Sequence, residues 1–377
     1  MEYTAMIKKT EDTFEKYAIH IRTLYQLKEF PMNLWKAMAE IGLLGFNIPK
    51  QYGGLGFSNK KLLQLFEYLT EKGFPLGLVL SWLTHLGLAN FLILPFAKEE
   101  EKQGLLSQMA KGEITISLAY GELGSGGSPK RLKTNAIACN DYFIINGKKD
   151  FITNGNLADI FAVFPVTGEK EGVKEISVFL VPKDHKGVEI KEPIDVRRLN
   201  PALHCSVVFK DCLVKAEDRI GDEGKAYDQI LKPWREYEDI YLMGALIGAM
   251  HRQLGLVMEQ TTGLSDSMDF SRIEELFSMY QSYKVLITES VSMLDNRIHN
   301  EKLSSLILSA RRIAVQFQNV YSDTILEYEM KEDEEMRHVT GSIYDLLKIA
   351  EGTFPTRRTK LGKNLIDLMD QRKGSLG

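Results

Sequence analysis

Cysteine is scarce in this sequence, with three among 377 residues. Cys139, Cys205 and Cys212 are odd in number and lack metal-ligand spacing. That argues against a disulfide framework or a thiolate-held metal, and it reads as reduced thiols in a cytoplasmic protein. An excess of one charge is also missing. With a formal net charge of −4 and a pI of about 6.1, nothing suggests a polyanion partner, and nucleic acid is not expected. The N-terminal stretch MEYTAMIKKTEDTFEKY has no apolar core and is too acidic for a transit peptide. Internal repeats and low-complexity linkers are absent. Only one long apolar run stands out: Gly73–Ala97 contains no Asp, Glu, Lys or Arg and is long enough to cross a bilayer. Pro75, Ser81, Thr84, His85, Asn90 and Pro95 interrupt it and no second segment resembles it, so a helix buried on all sides, or lining an apolar pocket, is the expectation rather than a membrane span.

What is present is a soluble globular composition, 44% hydrophobic and 26% charged, long enough for two or three regions with well-buried cores. The chain reads as α+β in three parts. Residues 1–113 carry helical spacing in NLWKAMAEIGLLGFNIP and KLLQLFEYLTEKG, with KQYGGLGFSN as the loop between them. Residues 114–225 switch to short β-rich runs, expected to form a compact barrel or sandwich. In DYFIINGKKDFITNG, Asn146-Gly147 predicts a hairpin turn, and DIFAVFPV, EISVFLVPK, GVEIKEP and CSVVFKDCLV follow as short strands at sheet-like spacing. Residues 226–377 return to helix. One stripe is made of Ile273, Leu276, Phe277, Tyr280, Tyr283, Ile287, Val291, Leu294 and Ile298. A second runs from Leu303 through Ile307, Ala310, Ala314 and Phe317 to Tyr321, and the two spacings predict long antiparallel bundle helices. LMGALIGAM, rich in small residues, suits a helix packed closely on a neighbour.

Near the end, YDLLKIAEGTFPTRRTKLG sets Glu351 directly before a glycine. On those residues alone Leu346, Leu347, Ile349 and Ala350 form a helix face with Gly352 as its C-cap; the other reading is a turn that holds a base.

The order of helices, β region and bundle, together with five local motifs, resembles the acyl-CoA dehydrogenase flavoprotein family. IPKQYGGLG is similar to the loop after that family's first helices. LAYGELGSGGSPKRLKT stands where the family has Thr-Glu-Pro-Gly-Ala-Gly-Ser-Asp closing with Lys-Thr. INGKKDFITNG is similar to Asn-Gly-x-Lys-x-Trp-Ile-Thr-Asn-Gly, with Phe151 at the aromatic position. VVFKDCLVKAEDRIGDEGKAY matches the strand and Gly-x-Gly segment leading into the bundle. AEGTFPTRR resembles Tyr-Glu-Gly-Thr, where many members carry the catalytic Glu.

The resemblance implies FAD as cofactor and an FAD-dependent dehydrogenation of an acyl thioester, on coenzyme A or an acyl-carrier protein, to a 2,3-enoyl product. It implies Glu351 as the base, with its own N–H as an oxyanion donor and Gly352 permitting the tight turn. A carboxylate in an apolar, water-excluded pocket would have its pKa raised toward neutrality, which suits that task. Glu238 is the runner-up base, its alternative being a first-turn residue stabilised by the helix dipole. Glu122, Gly124, Phe151, Ile152, Thr153 and Thr353 are implied as cofactor contacts, Phe151 to Thr153 covering and hydrogen-bonding the flavin ring. An electron-transfer flavoprotein-like acceptor and an oligomer are implied partners; no metal is.

Departures accompany the match. Gly121 replaces a Thr, Asp239 an Arg and Pro355 a Gln. The family's Arg-x-x-Phe-Gly element is TGLSDSMDFSR here, and its glycine-rich pyrophosphate cradle is EYEMKEDEEMRHVTG. The six carboxylates between Glu327 and Glu335 read as a solvated face that would repel a pyrophosphate. Two outcomes follow: pairing with a paralogue that supplies the missing clamp, or a substitute built from Arg272, Arg311 or Arg312. A non-catalytic or half-site member, and another flavin oxidase on the same fold, are the alternative functions.

Overall fold

A computed structural model describes residues 2–17, 29–126, 128–194, 197–261, 269–349 and 351–374. The chain divides into two compact units, Met1–Ser58 with Gly77–Glu238, and Asn59–Leu76 with Asp239–Gly377.

The first unit opens with helices α1 (Tyr3–Lys16) and α2 (Met32–Glu40). The apolar run becomes a helix Leu76–Leu88, a π-helical turn Ala89–Ile93 and a last turn Leu94–Phe96, followed by a helix Glu99–Ala110. Its interruptions are absorbed inside the protein: the Asn90 amide donates to the Leu86 carbonyl at 2.8 Å and to Asn47 Oδ1 at 2.9 Å, and Trp82 Nε1 donates to the Leu43 carbonyl at 2.9 Å. A second helix, Tyr227–Thr261, is also long and apolar enough to cross a membrane, contrary to the sequence reading; the apolar windows of the two are 89% and 83% buried in the protein, as core helices are.

Among the described residues, ten strands follow between Ile116 and Ile220. β1 (Ile116–Ala119), β4 (Ile160–Val163), β7 (Val178–Pro182) and β10 (Arg219–Ile220) form a four-stranded sheet in the order β1-β4-β7-β10. β2 (Asn135–Cys139), β3 (Tyr142–Thr153), β5 (Val166–Lys170), β6 (Val173–Ile176), β8 (Val188–Ile190) and β9 (His204–Lys215) form a six-stranded sheet, β6-β5-β2-β3-β9-β8. Both sheets contribute to one core, with Phe161, Val163 and Phe179 from the first meeting Phe143, Val207 and Phe209 from the second.

Two sequence expectations are corrected here. Asn146-Gly147 makes no hairpin: β3 runs through it, and the irregularity there belongs to β9, which carries one more residue between Phe209 and Cys212 than β3 does between Ile145 and Gly147. The Asn146 side chain, bonded across to Asp211 by donation at 3.2 Å and acceptance at 2.8 Å, holds the strand on course. The turn is Asn140-Asp141, where Asn140 adopts φ +54° and Cys139 pairs Tyr142. EISVFLVPK is two strands, because at Ser177 the chain passes from the six-stranded to the four-stranded sheet. The Ser177 hydroxyl bonds Thr167 and accepts from Gly224 N, which satisfies the break.

The second unit contains α3 (Asn59–Glu71), the Asp239–Thr261 part of the helix beginning at Lys232, and helices Ser271–Asp295, Glu301–Glu327, Glu334–Lys348 and Phe354–Gly374. The two apolar stripes are largely buried, with Leu276, Tyr283, Ile287, Ile307, Ala314 and Phe317 fully so, but Phe277 and Ile298 from the first stripe are exposed, Ile298 because the helix ends at Asp295. The small residues of LMGALIGAM permit contact with α3 that no larger side chain would: a Cβ on Gly248 would stand 2.0 Å from the Glu67 carbonyl oxygen.

Candidate functional site

In the first unit the candidate residues gather where the glycine-rich loop meets β3. The pairing of β3 with β9 slips between Lys149 and Ile152, and this bulge breaks the in–out alternation. Lys149 and Asp150 are both buried, and Phe151 is turned outward, 53% exposed, with φ +58°. A bulky residue held in left-handed backbone is strained, and such strain is characteristic of ligand sites. Ile152 then points into the core, 1% exposed. Its side chain therefore does not cover a ligand, because the bulge assigns the outward positions to its neighbours Phe151 and Thr153.

Thr153 is half-buried, and its hydroxyl meets His204 Nε2 at 3.0 Å on the directly paired residue of β9. The following Asn154 adopts φ +61° and donates its amide to the Ser81 carbonyl at 2.8 Å. Gly155 is required by close packing, since a Cβ there would lie 2.3 Å from Cys205 Sγ.

The loop is fastened to the bulge at four points. Asp150 N donates to the Gly121 carbonyl at 2.8 Å, and Leu123 N to Asp150 Oδ2 at 2.9 Å. Lys149 Nζ donates to the Tyr120 carbonyl at 3.0 Å and to Glu122 Oε1 at 2.8 Å. The Glu122 carboxylate also accepts from Lys133 N and Thr134 N, at 2.7 and 3.1 Å. Burial alone would raise the Glu122 carboxyl, but Lys149 and these N–H groups more than offset it and hold it below the usual range. Burial pulls Lys149 down to about 8, against the opposing pull of Glu122 and Asp150. Glu122 thus faces inward and holds the loop. Gly124 and Gly126, with φ +82° and +57° and open space where a side chain would stand, form the outward part.

Glu238, also in this unit, is not in a first turn. It lies two turns into the helix from Lys232, itself preceded by the π-helical turn Tyr227–Leu231, so the dipole reading fails there. Its carboxylate pairs with Arg235 at 2.7 Å.

In the second unit, Glu351 opens a 3₁₀ turn, Glu351–Thr353, and is exposed, with Thr353 half-buried. The preceding helix ends at Lys348 with Ile349 as its C-cap, so Gly352 is no helix cap. Nor does Gly352 adopt left-handed backbone: it is absent from the positive-φ positions, and nothing lies within 4 Å of a Cβ built there. The turn is gripped at both ends by one buried side chain. Arg311, 7% exposed, donates to the Ile349 carbonyl at 3.2 Å and lies 3.9 Å above the Phe354 ring. Arg357 stands 5.0 Å from the same ring and is paired with Asp239, which is 2% exposed. Burial pulls the Arg311 guanidinium below its ordinary value, with Asp239 and Glu351 opposing. Where the sequence comparison has Asp239 in place of an arginine, the structure returns a guanidinium to it from Arg357.

Neither Arg311, committed to this turn, nor Arg272, paired with Glu327 and Glu275 at 3.1 and 3.2 Å, is presented as a phosphate clamp; Arg312 is exposed. Residues 262–268 of TGLSDSMDFSR lie outside the described residues. The acidic run 327–335 is exposed apart from Glu329's neighbours in the turn, but it is organised: Asp333 accepts from Met336 N at 2.8 Å as an N-cap, and Glu335 takes a forked contact from Arg252 at 2.8 and 3.1 Å.

Sequence reasoning did not find Lys149, His204 or Arg357. Lys149 stood inside a quoted motif, but only the bulge makes it buried. His204 and Arg357 have no local signal, being defined by partners 51 and 118 residues away.

The groups on β3 and its loop fit an isoalloxazine ring: an exposed aromatic, a half-exposed hydroxyl and an open glycine loop. Two family models match, the acyl-CoA dehydrogenase N-terminal domain over residues 2–113 and the middle domain over residues 117–212. A short-chain-specific acyl-CoA dehydrogenase of Clostridium acetobutylicum is 32% identical over 231 residues, 61% of this chain and 58% of the relative, so the chain spans under two thirds of that relative's length. The caffeyl-CoA reductase–Etf complex subunit CarC of Acetobacterium woodii is 24% identical over 315 residues, 81% of this chain and 83% of the relative. Among solved structures, butyryl-CoA dehydrogenase from Megasphaera elsdenii superposes with a TM-score of 0.83 at 20% identity, covering 97% of this chain and 98% of that one, a likeness of fold. The chain belongs to the acyl-CoA dehydrogenase family.

Proposed function

We propose that this chain is an FAD-dependent acyl-thioester dehydrogenase that forms a 2,3-enoyl product, with Glu351 as the base. The observation that carries the reading is the β3 bulge, which spends backbone strain to present Phe151 outward beside the Thr153 hydroxyl. Phe151, Thr153 and the backbone of Gly124 and Gly126 would hold the ring, with Glu122 and Lys149 fixing the loop that carries those glycines. FAD, when bound, supplies the acceptor for the hydride that leaves the β carbon. Glu351 takes the α proton onto its carboxylate, and Arg311 keeps the Glu351 turn in place through Ile349 and Phe354. Thr353 is a further cofactor contact in this reading. A short-chain acyl group on coenzyme A is the favoured substrate, an electron-transfer flavoprotein the acceptor, and the cytoplasm the location.

The acidic run 327–335, tied up by the chain's own arginines and caps, favours a second reading in which a paralogous subunit supplies the pyrophosphate clamp. Both readings are tested by purifying the chain alone and measuring FAD occupancy, then adding saturated acyl-CoA or acyl-carrier protein and assaying the enoyl product. Stoichiometric flavin in a homo-oligomer, bleached by an acyl thioester, supports the first reading and removes the need for a partner. Colourless protein that gains flavin only with a co-expressed paralogue supports the second, and no flavin under either condition overturns both.

A further inference from the structure

His204 is a buried imidazole that the reading above does not use. It is 6% exposed, and its two ring nitrogens have different partners: Nδ1 faces the Ala202 carbonyl at 3.1 Å and Nε2 faces Thr153 Oγ1 at 3.0 Å. A carbonyl oxygen can only accept, so Nδ1 carries a proton. Burial lowers the imidazole to about 4, with the Ala202 bond opposing, so the ring is neutral at physiological pH. A neutral ring with its proton on Nδ1 has a bare Nε2, which can only accept. The proton in the Nε2···Oγ1 contact therefore belongs to the threonine.

From this we propose that His204 is a positioning residue that commits the Thr153 hydroxyl proton inward, leaving only oxygen lone pairs for a ligand. The proposal rests on the flavin reading for what that ligand is. An acceptor-only hydroxyl favours a partner that brings its own N–H. Two-electron reduction turns the N5 atom of an isoalloxazine from a bare acceptor into an N–H donor, so the Thr153 oxygen favours the reduced ring over the oxidised one. Histidine at position 204 thereby raises the potential of the bound cofactor, and nothing in local sequence marks it, because its partner lies 51 residues away.

Two measurements test this, and the first needs no flavin. Long-range ¹H–¹⁵N correlation on protein labelled with ¹⁵N-histidine reads the ring tautomer directly. A protonated Nδ1 with a bare Nε2 from pH 5.5 to 8 is expected; a protonated Nε2 overturns the proposal whether or not the chain is a dehydrogenase. The second measurement is a redox titration of the flavin-loaded protein. His204→Leu frees the hydroxyl to donate to the oxidised ring, and the reduced-over-oxidised affinity ratio should fall about tenfold, which is ~30 mV for a two-electron couple. In a Thr153→Val background the same change should shift nothing. An equal shift in both backgrounds, or a shift in the opposite direction, contradicts the proposal. Correct tautomer with no flavin bound would count against the functional reading alone.

Discussion

Glu122→Gln tests whether the glycine-rich loop is held by a buried ion pair. The Lys149 side chain is fully buried, and its ammonium has the Glu122 carboxylate at 2.8 Å and the Tyr120 carbonyl at 3.0 Å. Glutamine can still accept one hydrogen bond but carries no charge, so the variant strips the buried cation of its hydrogen-bonded counter-charge and leaves Asp150 alone to oppose its burial. Breaking a buried pair from one side costs about 3–5 kcal/mol. Lys149 has an escape, since burial already brings it to about 8; without Glu122 it sheds its proton more readily. Above its folded pKa and below about 10.4, the unfolded chain binds the proton and the folded chain does not, so stability rises with pH in that window. The deficit of Glu122→Gln should therefore be about 3 kcal/mol at pH 6 and smaller at pH 9. Lys149→Met should cost about 2 kcal/mol, and the double variant at least ~1 kcal/mol less than the sum of the two. Urea denaturation at both pH values gives the stabilities, and hydrogen exchange of residues 121–126 reports loop opening. Additive single effects, or a Glu122→Gln loss under about 0.5 kcal/mol at pH 6, would refute the reasoning.

Three further outcomes are expected. Gly248→Ala should lose about 3 kcal/mol or more, because the new Cβ meets α3 backbone at 2.0 Å, whereas Gly352→Ala, with open space around it, should change stability by under about 1 kcal/mol; paired denaturation curves compare them. Arg357→Ala should cost about 3–5 kcal/mol by stranding the buried Asp239, and Asp239→Asn in the same background should recover part of it by the same assay. His85 and His204 are each lowered from 6.5 to about 4 by burial, so unfolded chains gain protons that folded ones refuse. Stability should be full above pH 6.5 and fall as pH drops toward 4, by roughly 3 kcal/mol for each fully buried ring, measured as urea midpoints across that range.

Most of the fold was legible because it is written in short-range pattern. Tyr283, Ile287 and Val291 announce a helix face by spacing alone, and the β runs announce themselves by composition. What failed was local chemistry overruled by long-range pairing. Asn146-Gly147 has every feature of a hairpin turn, yet Asp211, 65 residues on, holds it in mid-strand. Phe151 and Thr153 were readable from FITNG, but their outward presentation depends on the bulge opposite β9, and Ile152, read with them, is turned into the core by the same bulge. Glu351 was visible as a carboxylate before glycine; the two-ended grip of Arg311 was not, since Arg311 sits forty residues earlier on another helix. Asp239 looked like a loss of positive charge until Arg357 was seen against it.

The claim at the centre is that Glu351 takes the α proton of an acyl thioester, and anaerobic single-turnover reduction of the flavin band tests it most directly. With saturating butyryl-CoA the wild-type band should bleach within the mixing experiment. In Glu351→Gln, which keeps the shape and loses the base, it should bleach about 10²–10⁴-fold more slowly, with flavin content unchanged. Bleaching of Glu351→Gln at the wild-type rate would contradict the account.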